Sequence, residues 1–463
     1  MYIEQLYTNC LAEAAYYIES NGEAAIIDPI RDIDVYIQLA QKRNARITYV
    51  FETHFHADFV SGHIDLAQKT KSTIVYGPKA NPSYPVHIAT DGESFTIGKI
   101  RMQVLHTPGH TPESTCYLLW DEAGKEHAVF TGDTLFVGDV GRPDLLDGIM
   151  NKEVLAGLLF DSLQKKIKTL PDDVIVYPGH GAGSACGKKI GKETFSTIGI
   201  QKKVNYALLH TSKEEFIRDV TKDIPPPPAY FFQDVQINKK GYNSLEEVVA
   251  KTNQPLTADE VAQAYKNGCV LLDTRTPQVF EKGFIPGSIS IGLNGQYAIW
   301  VGTLISITQP LVLITEPGKE EEAIIRLARV GYENVKGFLK GGIEAWKQAG
   351  KSVQTIVSVT ADEAKMQFDK GIQLIDVRKP SEYAQAHVKN AIHLSLANLP
   401  QQLHTLNKKI TYMVHCAGGY RSMIAASILK ANGFENILNV EGGFDEMKKI
   451  NFMIVSDEVS SLV

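Results

Sequence analysis

The 463 residues are 44% hydrophobic and 22% charged, with a formal net charge of −6. A chain this long exceeds one ordinary core, so two to four globular domains are expected. The acidic balance and the lack of a long Lys/Arg cluster argue against nucleic acid or an anionic membrane as partner. The start, Met-Tyr-Ile-Glu-Gln-Leu, lacks the basic and apolar regions of a signal peptide, and no stretch offers the roughly 18 uncharged apolar residues of a spanning helix. Five scattered cysteines, an odd count, suit free thiols in a reducing compartment, so a cytoplasmic location is expected.

In chain order, short apolar runs at Ala24–Asp28, Ile47–Thr53, Ser72–Tyr76, Ile100–Leu105, Ala128–Thr131 and Val174–Tyr177 predict buried strands, separated by helical stretches. Just past such strands stand Thr53-His54-Phe55-His56-Ala57-Asp58, Thr107-Pro-Gly-His110, Gly132-Asp133 and Tyr177-Pro-Gly-His180. Ligand sites of α/β folds collect at strand carboxyl ends, so four loops can bring imidazoles and carboxylates to one rim. Imidazole suits iron, zinc and copper, and a carboxylate adds a hard anionic donor. His87 and His106 are read as structural.

Downstream, Gly181-Ala-Gly-Ser-Ala-Cys186-Gly predicts a tight loop near this rim. Cys186 could hold a sulfane sulfur, although a small buried cysteine in such a turn is the commoner case. Lys202 and Lys203 could meet an anionic group of a thiol carrier or simply be solvated. The four-proline run Pro225–Pro228 cannot continue a helix, and from there to about Gln254 a connector against the first domain is predicted.

The remainder repeats. Leu-Leu-Asp273-Thr-Arg275-Thr-Pro277 returns as Leu-Ile-Asp376-Val-Arg378-Lys-Pro380, and Gly331-Tyr-Glu-Asn-Val before Gly341-Gly342 returns as Gly433-Phe-Glu-Asn-Ile before Gly442-Gly443. The offset of about one hundred residues is the size of a compact α/β domain. In the second copy a predicted strand, Ile410–His415, runs into Cys416-Ala417-Gly418-Gly419-Tyr420-Arg421 and then a helical pattern. A thiol there lies beside unpaired N–H groups and the positive helix end, which favour thiolate. The glycines let backbone N–H groups curl inward as an anion nest, and Arg421 adds a forked cation. The first copy reads Leu313-Ile-Thr-Glu316-Pro-Gly-Lys instead, and Cys269 is placed in its core. Asp376 and Arg378 recur in the copy without a nucleophile, so they are read as structural.

The first half resembles the metallo-β-lactamase superfamily, whose pattern is His-x-His-x-Asp-His followed by His, Asp and His. Phe59 occupies the last His position. In dinuclear zinc hydrolases such as glyoxalase II that His helps hold the second metal, so one metal is favoured here. His63, one helical turn on, is read as a helix-surface or supporting residue. The resemblance to the persulfide dioxygenase branch implies Fe(2+), one per chain, on His54, His110 and Asp133. His56, Asp58 and His180 then stand behind these ligands, fixing imidazole tautomers and hydrogen-bonding a bound ligand.

The second half resembles the rhodanese family, with Cys416, four intervening residues and Arg421. Phosphatases on a related fold use one residue more. The resemblance implies a Cys416 persulfide, with Ala417, Gly418, Gly419 and Tyr420 binding the substrate and Arg421 assisting.

The expected fold class is α/β: an αββα metallo-β-lactamase-type sandwich with its connector over residues 1–245, an inactive rhodanese-like domain over 255–352, and a rhodanese domain over 353–463. The implied activity is oxidation of a low-molecular-weight thiol persulfide by O2 to sulfite and free thiol, coupled to sulfur transfer that makes or uses thiosulfate. Two rival readings are a glyoxalase II-like zinc thioester hydrolase and a rhodanese half that serves only as carrier or docking module. The thiol carrier, the direction of sulfur flow and any homo-oligomer are left open.

Overall fold

The computed structural model describes residues 1–145, 150–224 and 226–457. Pro225 of the proline run and residues 458–463 of the third predicted domain lie outside the described residues. The chain forms two units, Met1–Val248 with Leu327–Gly331, and Val249–Arg326 with Tyr332–Val463.

In the first unit two six-stranded sheets face each other. One runs in chain order from Tyr2–Thr8 through Glu13–Ser20, Glu23–Ile27, Arg46–Glu52 and Thr73–Tyr76 to His87–Ile88. The other is ordered Ser196–Thr197, Ile175–Pro178, Glu126–Gly132, Thr115–Trp120, Ile100–His106, Ser94–Ile97. Alternate residues of both sheets, among them Tyr16, Phe51, Met102, Tyr117 and Phe130, meet between them in one buried cluster. Each large side chain so buried contributes roughly 1.5–3 kcal/mol. Behind the second sheet, Leu118, Val129 and Val176 pack against Leu159 and Phe216 of the helices Lys152–Ser162 and Lys213–Thr221. Behind the first, Ile74 and Tyr76 pack with Ile64 and Ala67 of the helix His63–Thr70. The layering is therefore αββα.

The predicted connector carries secondary structure of its own. It contains the helices Phe231–Lys240 and Leu245–Thr252. Phe231, Asp234 and Asn238, spaced three and four apart, share the buried face of the first of these, while Val235 packs onto the cluster around Tyr76.

The second unit holds the repeat as two five-stranded parallel sheets of the same strand order. The first is Pro255–Leu256, Val335–Leu339, Leu311–Ile314, Val270–Asp273, Ile289–Ser290, and the second Val357–Val359, Ile437–Val440, Tyr412–His415, Gln373–Asp376, Ile392–His393. Each copy opens with a capping box, Thr257 with Glu260 and Thr360 with Glu363. In each, the arginine forks onto the buried aspartate and reaches one carbonyl: Arg275 Nη2 to Gly283 O at 2.9 Å, and Arg378 Nη2 to Ala386 O at 2.8 Å. These pairs close a loop in both copies. Among the described residues no helix is long and apolar enough to cross a membrane.

Candidate metal centre and cysteine loop

The histidine loop follows directly on the strand Arg46–Glu52, and Asp133 and His180 follow the ends of Glu126–Gly132 and Ile175–Pro178. His54, His110 and Asp133, all buried, each offer one ligand atom within 4.8 Å of the others. His56, Asp58 and His180 form a second such group. Glycines permit the crowding. Gly132 has φ +46°, and a Cβ there would lie 2.5 Å from Thr53 Oγ1.

Hydrogen bonds fix the imidazole tautomers. His110 Nδ1 lies 2.8 Å from Arg142 O and His180 Nδ1 3.1 Å from Ala12 O. A carbonyl only accepts, so each Nδ1 carries the proton and each Nε2 keeps its lone pair. Thr53 Oγ1 donates to Asp28 Oδ2 at 2.8 Å and therefore accepts from His54 Nδ1 at 2.9 Å, freeing His54 Nε2 in the same way. Burial, then the neighbouring imidazoles, hold His54 well below the ordinary histidine range, so it stays neutral. Burial opposes protonation of His180, but the Asp58 and Asp133 carboxylates, at 3.3 and 3.5 Å, outweigh it and lift His180 above its ordinary value.

His110 Nε2, His180 Nε2, Asp58 Oδ1 and both Asp133 oxygens are buried without a hydrogen-bond partner. Each such atom costs about 1–3 kcal/mol if it stays unpaired. These orphaned atoms fit a metal-binding centre, in which His54, His110 and Asp133 offer two imidazoles and one carboxylate.

The loop behind the ligands is clamped by a residue that sequence reasoning missed. Asn238 Nδ2 donates to His56 O and to Phe59 O, each at 2.8 Å, and Asn238 Oδ1 accepts from Ser61 N at 2.9 Å. Its only signal in the sequence is a polar residue in register with Phe231 and Asp234. Phe59 is fully buried with its ring 4.3 Å from that of His56. His56 Nε2 is 3.1 Å from Asp28 Oδ1. His63 is not on a helix surface. It is fully buried, 2.7 Å from Tyr84 OH and 3.5 Å from Glu52 Oε1, and burial followed by the charge of His56 pushes it down to about 3. It stands outside the metal groups. His106 meets Pro112 O at 2.9 Å and His87 meets Glu93 at 2.6 Å, both away from the centre.

Cys186 is drawn into the rim: it is buried, and its sulfur lies within 4.8 Å of ligand atoms of Asp133 and His180. Burial and the two nearby carboxylates raise the thiol well above its ordinary value. Lys202 is tied to Asp172 Oδ1 at 2.7 Å and to Leu170 O at 3.1 Å, while Lys203 is exposed.

In the second unit, Cys416 stands between the strand Tyr412–His415 and the helix Tyr420–Ala431. Gly419, with φ +102°, lets the chain turn so that its N–H points at Cys416 Sγ from 3.1 Å. Gly443 backs the loop with φ +55°, and a Cβ there would lie 2.3 Å from Cys416 O. Arg421 is not a free cation. Its Nη1 and Nη2 fork onto Glu382 at 2.6 and 2.8 Å. A cavity of about 490 Å³ opens over Cys416, lined also by Gly418, Tyr420, Arg421, Lys379 and Glu382, and by Gln296 and Trp300 from the Cys-less copy. Tyr420 OH donates to Gly292 O of that copy at 2.7 Å. Ala417 turns its carbonyl to Asp445 N at 3.1 Å and, like Gly419, is outside this lining.

Comparison with known proteins identifies both halves. The model of the metallo-beta-lactamase superfamily matches residues 8–180, and that of the rhodanese-like domain matches 257–349 and 360–450. A crystal structure of a metallo-beta-lactamase from Staphylococcus aureus subsp. aureus COL is 34% identical, with a TM-score of 0.65 over 73% of this chain and 98% of that one. A probable hydroxyacylglutathione hydrolase of Schizosaccharomyces pombe is 34% identical over 191 residues, 41% of this chain and 70% of the relative. A mitochondrial persulfide dioxygenase of Bos taurus is 30% identical over 210 residues, 44% of this chain and 74% of the relative. The chain belongs to the metallo-beta-lactamase superfamily, as a fusion of that domain with two rhodanese-like domains. Its relatives place it in an enzyme family of hydrolases and dioxygenases.

Proposed function

We propose that this chain is a persulfide dioxygenase with a sulfurtransferase attached. The observation that carries the reading is Phe59: a buried phenyl ring, unable to coordinate, stands where the dinuclear pattern needs a histidine, beside a complete triad of His54, His110 and Asp133. The similarity to persulfide dioxygenases supports it. The overall reaction is R–S–SH + O2 + H2O → R–SH + HSO3⁻ + H⁺, in which the terminal sulfur loses four electrons to dioxygen. Ferrous iron, when bound, supplies open coordination positions for dioxygen and sulfur. His54, His110 and Asp133 would hold it from one side. Arg142 O and Thr53 Oγ1 aim the two imidazoles. Asp58 and His180 would hydrogen-bond a ligand on the open side.

At Cys416 the thiolate would carry a sulfane sulfur as Cys–S–S⁻. Attack of sulfite on the outer sulfur gives thiosulfate and returns the thiolate. The Gly419 N–H stabilises that leaving thiolate, and Lys379 supplies positive charge for the anion in a cavity where Arg421 is paired with Glu382.

The second reading, a zinc thioester hydrolase, is favoured by the similarity to hydroxyacylglutathione hydrolases, although the matched stretches span 60–70% of the first two relatives' lengths. Oxygen uptake separates the two. The chain, loaded anaerobically with ferrous iron and given a small-thiol persulfide, is expected to consume O2 and release sulfite, and the His54→Ala variant to do neither. No uptake, together with hydrolysis of a thioester by the zinc-loaded chain, would replace this reading with the hydrolase.

A further inference from the structure

The helix Glu320–Ala328 belongs by sequence to the Cys-less copy, but its end, Leu327–Gly331, is part of the first unit. A helix leaves its last carbonyls without partners of its own. Gly331, with φ +74°, stops this one, and Ala328 O and Arg329 O accept from residues of the first unit. Arg31, fully buried, donates from Nη1 to Ala328 O at 2.9 Å and from Nη2 to Asn243 O at 2.7 Å. That places a cation at the negative end of the helix dipole. Val60 N donates to Arg329 O at 2.7 Å. The Arg329 side chain forks onto Asp32, with Nε 2.9 Å from Oδ1, and its Nη1 lies 3.6 Å from Cys10 Sγ.

Both contacts bear on the metal centre. Asn238 holds His56 O, Phe59 O and Ser61 N of the ligand loop, and Arg329 O takes the intervening Val60 N–H. Asp32 lies in the loop that follows the strand Glu23–Ile27. In that loop Asp28 accepts from Thr53 N and Thr53 Oγ1 at 2.7 and 2.8 Å, and Thr53 in turn orients His54. Ile30 pairs with Ser61, and Gly62 N donates to Pro29 O at 2.7 Å, so the two loops run side by side. One residue grips both: the Arg329 carbonyl holds the ligand loop and its guanidinium the loop behind it. The repeat does not need this arginine for its own fold. In the twin, Ala431 stands two residues before Gly433, as Arg329 stands before Gly331.

We propose that the segment Leu327–Gly331 is a working part of the metal centre, with Arg329 as its positioning residue. It touches no ligand. With Asp32 and Val60 fixed, Thr53 and Phe59 stay where His54 and His56 need them. Because the segment is covalently attached, its hold on the loops does not depend on protein concentration. The proposal rests on the triad being the metal centre, and not on which reaction the triad performs.

The test uses the full-length chain, stripped of metal and titrated with cobalt(II) without oxygen, following the visible absorption. Amide exchange at Val60 is measured on the metal-free chain. Arg329→Ala is expected to weaken cobalt binding roughly 10–100-fold, as loss of other groups that orient ligands does, and to speed exchange at Val60. Arg329→Lys, which keeps the charge without the fork, should recover part of the affinity. Val220→Ala, at a buried position of the helix Lys213–Thr221 behind the second sheet, lowers stability without touching either loop. It should bind cobalt as the native chain does. A folded Arg329→Ala chain with native cobalt affinity would overturn the proposal. So would an equal loss of affinity in Val220→Ala, because lowered stability would then explain both. If Arg329→Ala does not fold, Asp32→Asn, which keeps the size of that side chain and removes its charge, decides. Weaker cobalt binding supports the positioning role, and native affinity overturns it. Neither persulfide nor oxygen enters these measurements, so failure of the dioxygenase reading leaves the result standing.

Discussion

Asn238 shows how far a single side chain reaches into the metal centre without touching a ligand. It serves two carbonyls and one N–H of the loop from His56 to Ser61. Asn238→Ala removes three bonds at a buried position and leaves partners unpaired, so a loss of about 2–4 kcal/mol is expected, read from the denaturant midpoint. Metal affinity should fall roughly 10–100-fold, as for other residues that hold ligands in place. The contrast between Asp273 and Asp376 is equally local. Burial works to raise both. At Asp376 the Arg378 hydrogen bonds and the His415 charge win and hold the carboxyl below its ordinary value, whereas Asp273, beside Arg275 but with Glu316 nearby, stays raised. A depressed carboxyl contributes stability that is present above the unfolded value, about 3.9, and lost as pH falls through the folded one. The raised Asp273 has the opposite sign, its contribution being present at low pH and lost as pH rises through its folded value. On acidification below about 4, amide exchange should therefore accelerate in the strand Gln373–Asp376 before it does in Val270–Asp273.

The glycine pairs are a matched experiment at the scale of the element. Gly342 and Gly443 hold left-handed backbone at the start of corresponding helices, with φ +60° and +55°. A Cβ at Gly443 would lie 2.3 Å from Cys416 O, but at Gly342 the nearest atom is Thr315 O at 3.3 Å. Gly443→Ala must therefore displace the cysteine loop and should abolish most sulfur transfer. Gly342→Ala meets mainly the backbone penalty of about 1–2 kcal/mol and should leave transfer at its native rate. Assays of thiosulfate formation on the two variants check this. Elements of this kind were legible in the sequence, because the strand that ends in a turn and the repeated Gly-Gly are local patterns. The ligand loops were found for the same reason. Asn238 and the Glu382 clamp on Arg421 were not, since each depends on a contact between segments far apart in the chain, which no periodicity encodes, whereas the glycine-rich loop after His180 did put Cys186 near the rim.

Within the second unit the copy without a nucleophile is part of the working site. Trp300 and Gln296 wall the Cys416 cavity, and Tyr420 is anchored on Gly292. The sequence marks this domain as inactive because it shows what a domain lacks, not what it lends to a neighbour. Trp300→Leu should lower kcat/KM for sulfur transfer at Cys416 about tenfold, equivalent to roughly 1.4 kcal/mol of lost contact, and steady-state kinetics with a persulfide donor would show it. Gln296, exposed at the rim, gives a second variant that does not disturb the core.

The Cys-less copy keeps the strand order, the Asp–Arg fork and the left-handed glycine of its twin. It differs in the residues after Ile314, where Glu316 and Lys319 border a cavity of about 200 Å³, and in Thr276 and Val279, which stand where its twin has Lys379 and Glu382. For an engineer this is a vacant socket: grafting the loop Cys416–Arg421 between its strand and helix, with a glutamate at Val279 to hold the arginine, would keep the scaffold and change only the lining. A copy that keeps the scaffold without the nucleophile is thus a domain on which catalysis can be built by changing a few short stretches.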